Sequence, residues 1–69
     1  MPFVTVYLLE GRSEDQKAEA ARAIARALAE TINSEASTTQ VVFLDIPASN
    51  WAHGSELVSR RAKRALDAR

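Results

Sequence analysis

The apolar run FVTVYLL occupies residues 3–9 and ends at Glu10-Gly11. Its β-branched and aromatic side chains favour extended backbone, and the glycine interrupts the run, so these residues predict a β-strand. A second run, QVVFLDI at residues 40–46, ends at Pro47, which cannot donate to a ladder of backbone hydrogen bonds. It predicts a second strand.

A long helix is predicted between the two strands. Ser13 is a strong N-cap, and Gln16 three residues later completes a capping box, so the helix should begin near Glu14. The helix is predicted to end at Asn33-Ser34, so it should have about five turns and a length of roughly 30 Å. One stripe carries apolar side chains at helical spacing, namely Ala21, Ile24, Ala25, Leu28 and Ile32.

Strand, helix and strand in this order predict an α/β fold built from a single βαβ unit with parallel strands. The nearly continuous apolar character of the second strand favours a sheet that is covered on both faces. Residues 48–55 are expected to form a loop or a short hairpin, and Glu56 onward a tail with helical character, of which residues 59–69 are basic. Residues 1–69 are predicted to form one domain.

The chain is short for a self-sufficient domain. With 69 residues it normally needs a disulfide, a metal or a partner to reinforce its core. It has no cysteine, and the only possible co-ligands for its single histidine, His53, are carboxylates scattered along the sequence. Neither a disulfide nor a metal site is therefore expected. We therefore expect an oligomer.

Composition excludes several classes of protein. With 46% hydrophobic and 26% charged residues, the chain is typical of a globular protein. No apolar run approaches the roughly 18 residues of a membrane span, and no basic segment precedes an apolar one as in a signal peptide, so we expect a cytoplasmic protein without membrane contact. Nine Lys and Arg balance nine Asp and Glu, which argues against a general binder of nucleic acid.

Pro2 is the residue most suggestive of chemistry. Removal of Met1 would leave a secondary amine at the start of the first strand, whereas retained Met1 would make the proline nitrogen an amide without basicity. An ordinary α-amino group has a pKa of about 7.7–8.0, and apolar surroundings lower it toward the pH at which a general base works best. The alternative interpretation of Pro2 is a rigid residue before a strand.

Several motifs accompany Pro2: PFVTV at residues 2–6, LEGRS at residues 9–13, DQK at residues 15–17 and, more weakly, NWAHGSEL at residues 50–57. With these motifs the chain resembles the 4-oxalocrotonate tautomerase family over nearly its whole length. In that family the amino-terminal proline is a general base that moves a proton between carbons of a 2-oxo or enol acid. Its subunits associate as trimers of dimers, with active sites that draw residues from adjacent subunits.

The resemblance also implies roles for individual residues. Pro2 would be the catalytic base and Arg12 the cation that binds a substrate carboxylate, while Leu9 and Trp51 would line the apolar wall of the site. Gln40 stands where the best-known members have a second arginine. Gln40 can hydrogen-bond a carbonyl or enol oxygen but carries no charge, which puts a diacid substrate in doubt. The implied enzyme is a cofactor-independent isomerase that acts on an unsaturated 2-oxo acid as a homohexamer.

Three alternatives stay open at this stage. One is hydration, dehalogenation or decarboxylation of a small unsaturated acid. Dehalogenation is disfavoured, because Ala52-His53 stand where related branches of the family place a water-activating glutamate. His53 could act as an acid or base, although an exposed turn histidine is the plainer interpretation. Another is one subunit of a hetero-oligomer whose partner supplies the missing arginine. The third is a non-catalytic assembly or nucleic-acid-binding module that uses the basic end, namely Arg60, Arg61, Lys63, Arg64 and Arg69.

Overall fold

A computed structural model describes residues 1–61 of the chain. Its main elements are β1 (Phe3–Leu9), α1 (Glu14–Ile32), β2 (Gln40–Ile46) and the two-residue strands β3 (Ala52–His53) and β4 (Glu56–Leu57). Single 3-10 turns at Ala36–Thr38 and Ala48–Asn50 flank β2, and residues 58–61 are helical. The long strands and the helix lie at the predicted residues. Of the predicted basic tail, residues 62–69 lie outside the described residues.

The two long strands pair in parallel over their full length. Phe3 lies opposite Gln40 and Leu9 opposite Ile46. One further backbone bond extends the ladder at each end: the Gln40 N–H donates to the Pro2 carbonyl at 3.0 Å, and the Glu10 N–H donates to the Ile46 carbonyl at 3.0 Å. Parallel neighbours need a crossover, which α1 supplies, so the predicted βαβ unit is confirmed.

Both ends of α1 are fixed by the predicted residues. The Ser13 hydroxyl accepts from the Gln16 N–H at 3.1 Å, and the Gln16 side-chain oxygen accepts from the Ser13 N–H at 2.9 Å. This reciprocal pair satisfies two backbone donors that a helix start leaves without partners. The helix ends at Asn33, whose φ of 60° is left-handed, a conformation that asparagine adopts more readily than most residues.

The sheet has one covered face and one open face. Val4, Val6 and Leu8 of β1 are half-buried on the side of α1, whereas Phe3 and Tyr7 on the opposite side are each 64% exposed. Within residues 1–61 no side chain is fully buried. The one long helix of a single chain covers only one face, so the second face that the apolar strands predict to be covered is left for a neighbouring copy.

Two expectations differ from the structure. Ile32, predicted to lie on the packed stripe, is 62% exposed, because a 19-residue helix of about 28 Å is longer than a seven-residue strand of about 23 Å. The predicted short hairpin is confirmed, but its second strand is Glu56–Leu57, where the sequence predicts the start of the tail. A tight two-residue turn that begins at Gly54, where φ is +61°, returns the chain so that β4 pairs antiparallel with β3.

No helix within residues 1–61 combines the length and the apolar character needed to cross a membrane.

The capping box makes a prediction about stability. Ser13→Ala should lower the free energy of unfolding by about 1 kcal/mol, because the Gln16 N–H loses its acceptor at the helix start. Denaturant unfolding at one fixed protein concentration measures the change. Ser49→Ala is the matched control, since Ser49 is exposed and its side chain has no hydrogen bond to residues 1–61. Equal losses in the two variants would contradict the assignment.

Candidate active site

Pro2 and Gln40 lie together at the amino end of the parallel strands. Pro2 is half-buried, and its carbonyl accepts the Gln40 N–H, so the backbone of Pro2 is held where β1 begins. Gln40 is exposed opposite Phe3. Met1, whose carbonyl carbon is bonded to the Pro2 nitrogen, is 86% exposed.

Leu9, Arg12 and Trp51 belong to the carboxyl end of the same strands. Leu9 is the last residue of β1, and Gly11, whose φ is +126°, turns the chain toward the helix in a conformation that side chains rarely adopt. Arg12 follows at once and is exposed. Trp51 comes just after the turn that follows β2.

The protomer therefore divides the predicted site residues between two ends of its sheet. Leu9 lies seven positions after Pro2, which at about 3.3 Å per residue is roughly 23 Å. The structure brings Pro2 close to Gln40, and Leu9 close to the strand end that leads to Trp51. It does not bring Pro2 to Leu9, Arg12 or Trp51 within one chain.

Arg12 lines a groove between β1 and α1, which we call the helix-side groove. This groove of about 280 Å³ is lined by Val6, Leu8, Arg12, Gln16, Lys17, Ala20, Ile24 and Phe43. The Lys17 ammonium donates to the Asp45 carboxylate and so ties the first turns of α1 to the end of β2. Arg12 has no carboxylate partner among residues 1–61, so its guanidinium is available to bind an anion.

Trp51 lines a second groove, on the open face of the sheet, which we call the aromatic groove. Its volume is about 390 Å³, and it is lined by Tyr7, Ile46, Asn50, Trp51 and Ala52. The backbone of Trp51 is held on both sides: its N–H donates to the Ala48 carbonyl at 3.4 Å, and its carbonyl accepts from the Val58 N–H at 2.7 Å.

Four residues of the aromatic groove were not predicted as site residues, namely Tyr7, Ile46, Asn50 and Ala52. The alternation of β1 places Tyr7 on the same face as Leu9, two residues later, and this signal was present in the sequence. Asn50 had no such signal, because it reaches the groove through a single 3-10 turn.

His53 is exposed in β3, where it lies opposite Glu56, and is a strand residue rather than a turn residue. No group of three or more His, Cys, Asp or Glu side chains that could hold a metal ion occurs within residues 1–61.

Comparison with known proteins places these features in a family. A family model described as tautomerase enzyme matches residues 2–61. The 2-hydroxymuconate tautomerase of Comamonas testosteroni is 41% identical over 51 residues, which are 74% of this chain and 81% of that protein. A probable tautomerase of Lactococcus lactis is 33% identical over 61 residues, which are 88% of this chain and all of that protein.

Solved structures agree with the sequence comparisons. TomN, a 4-oxalocrotonate tautomerase homologue in the tomaymycin biosynthetic pathway, has a TM-score of 0.86 at 31% identity, over 90% of this chain and 95% of that one. A heterohexamer 4-oxalocrotonate tautomerase from Chloroflexus aurantiacus has a TM-score of 0.80 at 30% identity, over 86% of this chain and 95% of that one. The chain therefore belongs to the tautomerase family, and it resembles the 4-oxalocrotonate tautomerases in both sequence and fold.

Proposed function

We propose that this protein is a cofactor-independent tautomerase that uses Pro2, once Met1 has been removed, as the general base on an unsaturated 2-oxo acid. The observation that carries the proposal is the placement of Pro2. The hydrogen bond from the Gln40 N–H fixes the Pro2 carbonyl, so the adjoining nitrogen has a defined position at the sheet end. A free secondary amine held in this way has the lone pair that a general base needs.

The reaction moves one proton and leaves the protein unchanged. The Pro2 amine takes the proton from the 2-hydroxyl of the enol acid, and the electron pair shifts along the conjugated carbons. The resulting ammonium returns the proton to carbon, which yields the 2-oxo acid and regenerates the amine. Each transfer is a general acid–base step, which contributes about 10²–10⁴ to a rate.

Other residues hold the substrate. Arg12 binds the carboxylate beside the 2-oxygen, since a planar guanidinium engages both carboxylate oxygens and Arg12 has no competing carboxylate in residues 1–61. Gln40 hydrogen-bonds the 2-oxygen next to Pro2. Leu9 and Trp51 exclude water and so favour the neutral form of the Pro2 amine.

This chemistry requires at least two copies of the chain, because Pro2 and Arg12 lie at opposite ends of β1. The outer edge of β1 has no strand partner within residues 1–61. A second copy that runs antiparallel along this edge brings its Leu9 and Arg12 to the Pro2 of the first. Three such dimers give the expected homohexamer, and they act in the cytoplasm on a small carboxylic acid.

One alternative has specific support. The relative from Chloroflexus aurantiacus is a heterohexamer, and this chain has Gln40 where the family resemblance leads one to expect arginine. A second kind of subunit that carries that arginine would complete a site for a diacid.

Retention of Met1, which makes the Pro2 nitrogen an amide, provides a direct test of the base. Protein that retains Met1 should convert the enol form of phenylenolpyruvate to the ketone with a kcat/KM lower by a factor of about 10²–10⁴, because an amide nitrogen has no basic lone pair. Ultraviolet absorbance follows the reaction, and mass spectrometry establishes the state of the terminus. Enzymatic trimming of Met1 from the same sample is the control and should restore the rate. Equal rates before and after trimming would rule out Pro2 as the base.

Gln40 provides a test of the hydrogen bond to the 2-oxygen. Gln40→Arg should raise the kcat/KM for phenylenolpyruvate about tenfold, because a guanidinium donates a charge-assisted hydrogen bond to the developing enolate oxygen, and such bonds are roughly twice as strong as neutral ones. Gln40→Met, which has a similar length and no hydrogen-bond donor, is the control and should give no gain. A kcat/KM that does not change in Gln40→Arg would show that residue 40 does not face the 2-oxygen.

A further inference from the structure

We propose that Lys17 and Asp45 are positioning residues, and that their ion pair holds Arg12 where its guanidinium meets the substrate carboxylate. The inference rests on the proposed function, because it concerns how the carboxylate-binding residue of that site is kept in place. Neither Lys17 nor Asp45 touches the substrate in this arrangement, and both act through Arg12.

Arg12 lies in the short connection between β1 and α1, residues 10–13. The connection passes through Gly11, whose φ of +126° is a conformation that other residues rarely adopt. Arg12 itself is exposed and forms no ion pair with residues 1–61. Its position in the protomer therefore depends on the backbone on either side of it.

Both ends of this connection are attached to the end of β2. The Glu10 N–H donates to the carbonyl of Ile46, the last residue of β2, at 3.0 Å. At the other end, the Lys17 N–H donates to the Ser13 carbonyl at 3.1 Å, while the Lys17 ammonium donates to the carboxylate of Asp45. Lys17 therefore joins the N-cap of α1 to β2, and the two attachments reach neighbouring residues of that strand.

The surroundings of the Lys17–Asp45 pair make it a stronger attachment than an ordinary surface ion pair. Asp45 lies on the covered face of the sheet, two residues after Phe43, which lines the helix-side groove. The side chains of Lys17 and Asp45 are 26% and 40% exposed, whereas those of the Glu19–Arg22 pair on the same helix are 71% and 66% exposed. Water screens the less exposed pair less, so its attraction is greater.

The pair also lies beside the residue that it positions. Lys17 and Arg12 both line the helix-side groove, and the Lys17 ammonium already has a carboxylate partner. A substrate carboxylate keeps its negative charge from the enol to the ketone, so Arg12 binds it about equally before and during proton transfer. A displaced Arg12 therefore raises KM and leaves kcat unchanged.

The test removes each partner of the ion pair in turn. In Met-free protein, Lys17→Met should raise the KM for phenylenolpyruvate about fivefold and hold kcat within about twofold, because the connection loses one of its two attachments. Asp45→Leu, which is similar in size and accepts no hydrogen bond, should have the same effect. Lys17→Arg, which restores a cation for Asp45, should bring KM back within about twofold of the wild type.

Two controls separate positioning from a purely structural contribution. Arg22→Met breaks the exposed Glu19–Arg22 pair on the same helix and should leave KM unchanged. The methyl ester of phenylenolpyruvate has no carboxylate for Arg12, so its kcat/KM should be the same in wild type and Lys17→Met. Ultraviolet absorbance follows both substrates.

The outcomes distinguish the two proposals. An unchanged KM in Lys17→Met and Asp45→Leu, a loss in kcat alone, or an equal loss of kcat/KM for the acid and its ester would overturn the positioning role and leave the tautomerase function standing. Failure of Met-free wild type to convert any enol acid would overturn the proposed function and this inference with it.

Discussion

Seven residues of β1 pair in parallel with seven residues of β2, and this ladder determines where every candidate functional group lies. Parallel strands start at the same end of a sheet, so Pro2 is adjacent to Gln40, whereas Leu9 is adjacent to Ile46 at the other end. The crossover helix between them covers one face and leaves the other open. The ladder therefore sets the order of the groups along the sheet, and it separates the proposed base at one end of β1 from the proposed carboxylate-binding arginine, which follows the other end roughly 23 Å away.

The same geometry connects stability with catalysis. No side chain in residues 1–61 is fully buried, and the apolar side chains exposed on the open face include Phe3, Tyr7, Val42 and Leu44. A chain of this size gains the burial it lacks when copies associate. In our proposal the contacts that complete the core also bring the Arg12 of one copy to the Pro2 of another, so assembly and activity become a single requirement.

The sequence predicted the long elements well because each carries its own local signal. Ser13 and Gln16 fix the start of α1 through backbone donors, and β-branched residues with a closing glycine or proline mark the strands. The 3-10 turns at Ala36–Thr38 and Ala48–Asn50 were not predicted, since a single turn has no hydrophobic period. Asn50, which lies in one of these turns, was for the same reason not predicted as a lining residue of the aromatic groove. The exposure of Ile32 was not predicted either, because it depends on the lengths of the helix and the sheet and not on the spacing of Ile32 in the helix. The site roles of Pro2 and Arg12 came from family resemblance, because a protomer that separates them gives no local sign that they work together.

The most direct measurement of a shared active site is complementation between two inactive chains. One chain retains Met1 and therefore lacks a free Pro2 amine, and the other carries Arg12→Ala. If each site takes Pro2 from one copy and Arg12 from another, unfolding and refolding the two as a mixture should recover about a quarter of the wild-type activity, because random assembly pairs an intact Pro2 with an intact Arg12 in about one site in four. A refolded mixture no more active than the sum of the two separate chains would contradict the account.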